Sequence, residues 1–205
     1  LRYYPHGGDD NQPLFFHPSM AGVRLKRLMR GETDPLLTVA GIRPGDKVLD
    51  CTAGMASDAI VFAYAVGPEG RVVALESEPL VHLIASEGLA RYPAEFPELD
   101  DAMRRVELLR ADHLDFLRGL ETDSFDVVYF DPMFRYPVEE SGWLSPLRDT
   151  ANTEPLSAEA VREAVRAARR CVVLKERSRS REFDRLGFTP LDRTGSSTDY
   201  GVIRK

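Results

Sequence analysis

An acid stands at or just past the end of four apolar runs in this chain. Asp50 closes "KVLD", Glu76 closes "RVVALE", Asp112 follows "RVELLR" and Asp131 closes "DVVYFD". A fifth acid, Asp58, lies in "CTAGMASDA" just beyond the first run, and Pro132, Met133 and Phe134 follow Asp131 directly. Carboxylates in such positions hold sugar hydroxyls or cationic groups. A carboxylate followed by a stiff proline and an aromatic has a further use with an exocyclic amine on a nucleobase. Such an amine is a poor nucleophile because its lone pair is delocalised into the ring. Asp131 and the Pro132 carbonyl can accept its two N–H groups and turn the lone pair toward an electrophile, while Phe134 offers a face for the base to stack on. The alkylated amine is acidic and loses its proton to Asp131 or water, so no strong general base is needed and the gain comes from positioning and electrostatics. The plainer alternative is a turn at Asp131-Pro132 with Phe134 in the core.

These residues need elements to position them. "DKVLDC", "RVVALE", "RVELLR", "DVVYFD" and "CVVLK" read as buried strands. Helical patterns lie between them: Ala56 to Val66, ended by Gly67-Pro68, then "PLVHLIASEGLARY", "DHLDFLRGL", and "AEAVREAVRAARR" behind a capping Ser157. After Asp131 comes a stretch of roughly 25 residues without periodicity, long enough to suspect function. A short helix, "SREFDRLG", precedes "FTPLDRT" and "TDYGVIRK", which read as a closing hairpin. This alternation predicts an α/β fold: a Rossmann-like, seven-stranded, mostly parallel sheet with a C-terminal antiparallel hairpin and helices on both faces. Residues 1–45, with the basic helix "SMAGVRLKRLMRG", are expected to form a substrate-side segment, and 46–205 one globular ligand-binding unit.

In such a sheet ligands bind beyond the carboxyl ends of the strands, where the strand order reverses. Glu76 lies 22 residues past Gly54, the spacing at which an acid accepts both ribose hydroxyls. Asp112 serves equally well as a helix N-cap. A dinucleotide would bring a diphosphate, which needs a glycine-rich turn and a bare helix N-terminus. This turn has the single Gly54, with Asp58 at the helix start, the wrong charge for NAD. S-adenosylmethionine shares the adenosine but carries a sulfonium and an ammonium, which an acidic rim suits. Gly54 would let backbone approach the methionine moiety, and Thr52, Ser57 and Asp58 would hold its polar end.

The net charge of −6 argues against a globally basic nucleic-acid binder, yet cations gather locally. Arg24, Lys26, Arg27 and Arg30 form one group; Arg162, Arg166, Arg169, Arg170, Lys175, Arg177, Arg179 and Arg181 form another. Each reads as a solvated helix face or as a phosphate-binding patch. Cys51 and Cys171 are expected to be buried thiols, and His6, His17, His82 and His113 lack ligand spacing, so no metal is expected. No run is long enough to span a membrane and the opening residues show no secretory pattern, so a cytoplasmic location is expected.

"VLDCTAGMASDA", "ALES" and "YFDPMF", in this order, resemble the class I S-adenosylmethionine-dependent methyltransferases. More narrowly they resemble the RsmJ-like enzymes that methylate the N2 amine of a guanine in bacterial 16S ribosomal RNA. The resemblance covers about Lys47 to Lys175 and implies S-adenosylmethionine as cofactor, with the turn Asp50, Thr52, Ala53, Gly54 and the pairs Ser57-Asp58, Glu76-Ser77 and Asp112-His113, with Asp131, around it. It implies ribosomal RNA or the small ribosomal subunit as partner; on that reading Asp131, Pro132 and Phe134 are expected to be catalytic, and the basic-helix residues Arg24, Lys26 and Arg27, with Arg135, are expected to meet phosphate. A methyltransferase acting on another RNA or a small amine, and a non-catalytic nucleotide-binding module, stay open as alternatives.

Overall fold

Strands buried on both faces should read as unbroken apolar runs. The computed structural model, which describes residues 1–4, 13–132, 155–191 and 196–205, places each such run in one sheet. Its strands are β3 (Lys47–Asp50), β4 (Arg71–Glu76), β5 (Val106–Arg110), β6 (Phe125–Phe130), β7 (Ala168–Arg177), β8 (Thr189–Leu191) and β9 (Thr198–Arg204). The order is β5-β4-β3-β6-β7-β9-β8; the first five are parallel, and β9 runs antiparallel to both β7 and β8. The order reverses between β3 and β6, so Asp50 and Asp131 end neighbouring strands.

Alternation along the strands divides the core in two. Val48, Val72, Ala74, Val127, Tyr129 and Val173 point to a layer holding α1 (Ser19–Met29), α3 (Ser57–Val66), α4 (Pro79–Arg91) and α5 (Pro97–Arg104). Leu49, Val73, Leu75, Val128, Phe130, Val172 and Leu174 point the other way, to α6 (His113–Arg118), α7 (Ala158–Ala167) and α8 (Glu182–Leu186). Tyr129 and Phe130 are both fully buried, on opposite faces.

Differences from the sequence reading are local. Arg169 and Arg170 continue no helix: α7 stops at Ala167 and the strand starts at Ala168, since Phe125 pairs with Ala168 and the sheet claims the backbone early. Two helices carried too little pattern to be read. One is α2 (Pro35–Ala40), six residues capped by Asp34 and stopped by Gly41; the other is α5, whose short apolar face, Leu99, Ala102 and Met103, is buried. A two-stranded ribbon of β1 (Arg2–Tyr3) and β2 (Leu14–Phe15) also lies outside the expected elements.

The N-terminal segment shares the first core layer, with Leu14, Phe16, Ala21 and Leu25 all buried. Phe16 sits on Gly88 in α4, so closely that a β-carbon there would fall 1.9 Å from the ring, and its edge meets Tyr92. Among the described residues no helix is long and apolar enough to cross a membrane.

Candidate active site

Asp50, Thr52 and Asp131 are joined where the strand order reverses. The Thr52 N–H donates to Asp50 Oδ1 over 3.0 Å, and the Asp131 N–H donates to Thr52 Oγ1 over 2.6 Å. One threonine therefore fastens the end of β6 to the turn after β3. The turn itself is held by the Cys51 N–H on the Tyr129 carbonyl and the Ala53 N–H on the Leu75 carbonyl. Gly54 adopts φ +52°, a left-handed conformation that glycine takes without steric cost, and the space where a β-carbon would stand is open.

Glu76 locks onto the same turn. Its Oε2 accepts from the Gly54 N–H over 3.0 Å and its Oε1 from the Glu78 N–H over 2.8 Å. The pair separated by 22 residues in sequence is thus in direct contact. Partial burial raises the Glu76 pKa, against the pull of these N–H groups. Asp112 caps α6, its Oδ1 accepting from Leu114 and Asp115. His113 packs edge-on against Phe130 with ring centroids 5.7 Å apart, and its burial lowers its pKa. Ser57 opens α3 half-buried, Ala53 is buried and Ser77 is exposed.

Two residues assigned to ligands stand elsewhere. Asp58 is not at the rim: it is only 9% exposed, Oδ1 accepts from Arg24, and Oδ2 accepts from the Tyr129 hydroxyl at 2.8 Å and Lys175 Nζ at 3.3 Å. Burial works to raise its pKa, but Lys175 and Arg24 overcome this and hold it at about 2. Arg24, expected on phosphate, instead spans Asp34 and Asp58. Its bonds to these two acids turn Arg24 inward, with the side chain 15% exposed. Lys26 and Arg27 do face solvent, paired with Glu95 at 2.6 Å and Glu32 at 2.7 Å. Exposed pairs of this kind are worth little and yield readily to another anion. Phe134 and Arg135 lie outside the described residues.

Lys175 is the residue that motif reading missed. Its Nζ lies 2.7 Å from Asp131 Oδ2 as well as 3.3 Å from Asp58. The signal was register: Phe130 pairs with Leu174 in parallel, so the residues that follow are adjacent, and both side chains take the first-layer face. Despite the cost of burial, the two carboxylates raise the Lys175 pKa. Burial pushes the Asp131 carboxyl up, with Lys175 pulling the other way. Among the described residues no three His, Cys, Asp or Glu side chains are grouped to hold a metal ion.

The geometry fastens both the Glu76 carboxylate and the Asp131-Pro132 corner to the turn that follows β3. Comparison with known proteins bears on its chemistry. Residues 14–145 match the family model described as "Putative SAM-dependent methyltransferase". An uncharacterised Bacillus subtilis protein, YpiP, is 44% identical over 93% of this chain and 74% of its own length. Ribosomal RNA small subunit methyltransferase J of Pseudomonas fluorescens is 35% identical over 55% of this chain. The match spans 43% of that relative, so under half its length is represented. In Rhodopseudomonas palustris the protein of the same name is 35% identical over 68% of this chain and 64% of its own. A SAM-dependent methyltransferase structure from Aquifex aeolicus superposes with a TM-score of 0.55 at 16% identity, covering 92% of this chain and 99% of that one. TrmN from Thermus thermophilus gives 0.54 at 23% identity, over 83% and 47%. At such identities the structures speak for the fold alone.

Proposed function

The chain belongs to the S-adenosylmethionine-dependent methyltransferase family, and we propose that it methylates the exocyclic N2 amine of a guanine in 16S ribosomal RNA. S-adenosylmethionine, the methyl donor of this family, supplies an electrophilic methyl group on a positively charged sulfur. The residues present fit it: open space over Gly54, the Glu76 carboxylate fastened beside that space, and no basic group among the turn residues 50–58. In this reading Asp50, Thr52, Ala53, Gly54, Ser57, Glu76, Ser77, Asp112 and His113 line the donor side. Asp58 acts from behind, through its partners.

The observation that carries the substrate class is the bond from the Asp131 N–H to Thr52 Oγ1, which pins the Asp-Pro corner to the donor turn. An amine held there by the Asp131 carboxylate and the Pro132 carbonyl has its lone pair aimed across the turn. As the N–C bond forms, the C–S bond breaks, and the surplus N–H proton passes to Asp131 or water. Phe134 stacks the base, and Lys26, Arg27 and Arg135 meet the RNA backbone. The similarity to small-subunit methyltransferases J supports an RNA substrate.

The test is to incubate the protein with labelled donor and with ribosomal RNA or small subunits from cells lacking it, then digest and map the label. Label in N2-methylguanosine is the expected result, with binding that weakens steeply as salt rises. Label in another nucleoside would remove the guanine assignment. Incorporation into small amines and none into RNA would remove the RNA.

A further inference from the structure

Two carboxylates, Asp58 and Asp131, converge on one ammonium beneath the Asp-Pro corner. Lys175 Nζ is 2.7 Å from Asp131 Oδ2 and 3.3 Å from Asp58 Oδ2, and its side chain is 23% exposed. The arrangement follows from the fold. β6 brings Tyr129 and Asp131 to one face, β7 brings Val173 and Lys175 to the same face alongside, and the first turn of α3 lowers Asp58 onto them. We infer that Lys175 is a positioning residue for methyl transfer: it keeps Asp131 ionised and fixed in direction, so that the carboxylate is ready to accept the N–H of the substrate amine. This rests on the reading of Asp131 as the amine acceptor.

Two acids this close in a low-dielectric site do not both ionise unless a cation stands between them. The other groups that face the cluster cannot substitute for Lys175. Arg24, from α1, is committed to Asp34 and to Asp58 Oδ1. Tyr129 donates its hydroxyl to Asp58 and stays neutral, since burial raises its pKa. Tyr200, which pairs with Lys175 across β9, is pushed up to about 12, first by burial and then by Asp58. Asp50 on β3 and Glu176 on β7 add acid, not base. Without Lys175 a proton must settle on the pair. Asp58 keeps Arg24 and Tyr129, so the proton goes to Asp131, and the acceptor becomes a carboxylic acid.

Helix α1 is tied into the same chain of charges, Asp34–Arg24–Asp58–Lys175–Asp131, which links the N-terminal segment to the corner through partly buried ion pairs. Removing one partner from such a series leaves a charge uncompensated, so the effect should travel to Asp131.

The experiment compares wild type, Lys175→Met and Lys175→Arg by carboxyl ¹³C NMR titration and by methyl transfer across pH. In Lys175→Met the Asp131 midpoint is expected to rise by about two pH units, and the rising limb of the kcat profile with it. At pH values below both midpoints kcat should fall about 100-fold, the gap closing as pH rises past the variant's midpoint, while the donor Kd stays within about threefold, and Lys175→Arg should restore both the midpoint and the profile. An Asp131 midpoint that does not move in Lys175→Met overturns the inference, as does a loss of kcat with an unshifted pH profile that Arg fails to rescue. If wild type transfers no methyl group to RNA, the substrate reading fails, and the titration alone decides the role of Lys175.

Discussion

The Tyr129 hydroxyl donates to Asp58 Oδ2 over 2.8 Å inside the protein, where Tyr129 is fully buried. This bond joins the middle of the sheet to the first turn of α3 and gives a buried carboxylate a donor besides its two cations. Tyr129→Phe keeps the ring, which packs edge-on against Phe62 with centroids 5.3 Å apart, and deletes only the donor. The variant should lose about 1.5–3 kcal/mol, the range for a hydrogen bond to a charged group. Urea denaturation should show a lower midpoint with an unchanged slope.

Asp50 and Asp58 impose opposite pH dependences. Burial pushes Asp50 up to about 8; the Thr52 N–H pulls against this, and Asp58 and Asp131 add to it. Because the folded-state value lies above the ordinary 3.8, the stability linked to Asp50 is full below about 3.8 and declines as pH rises toward about 8. Asp58, held at about 2, contributes stability that is present above about 3.8 and lost as pH falls through about 2. Wild type should therefore become less stable between pH 5 and pH 8. Asp50→Asn should flatten that decline while leaving the acid limb in place, which denaturant titrations at several pH values will read.

Binding and catalysis should separate between two acids. Glu76→Gln weakens its hold on the Gly54 N–H, and, with Glu76 proposed as the ribose acceptor, donor affinity should drop about 10- to 100-fold by calorimetry. Asp131→Asn keeps the backbone bond to Thr52 and should leave the donor Kd within a few-fold, while single-turnover methyl transfer slows by about 100-fold or more. Equal losses in both quantities for both variants would contradict the assignment.

Gly88→Ala should destabilise the protein, although alanine is the better helix former by about 1 kcal/mol. The new methyl group would meet the Phe16 ring at 1.9 Å, and overpacking of this kind costs about 1–3 kcal/mol. The strain falls on the contact that docks the N-terminal segment, so limited proteolysis should cut near residues 13–18 faster in the variant than in wild type.

The central strands β3, β4, β6 and β7 were legible because each carries a buried apolar run, and the turn after β3 because Gly54 and Glu76 keep the spacing that a β-α-β unit imposes. That spacing became a contact of 3.0 Å. The helix α5 was not legible: its three buried residues in eight are too few to stand out from a polar stretch. The boundary of α7 was misplaced because Ala168, Arg169 and Arg170 suit a helix locally, and the pairing with β6 outweighs that preference.

The basic clusters show the limit most clearly. In sequence Arg166, Arg169, Arg170 and Lys175 form one group, but the structure disperses them. Arg166 donates to the Leu117 and Leu120 carbonyls, Arg169 pairs with Asp126, Arg170 with Asp46, and Lys175 with Asp58 and Asp131. Asp58 and Arg24 likewise became each other's partners. By itself the sequence determined the order of strands and helices and the acids at the strand ends, because periodicity and spacing are local properties. Only the tertiary structure decided which charges meet, because a charge's role is set by the partner that folding delivers to it from 34, 44 or 117 residues away.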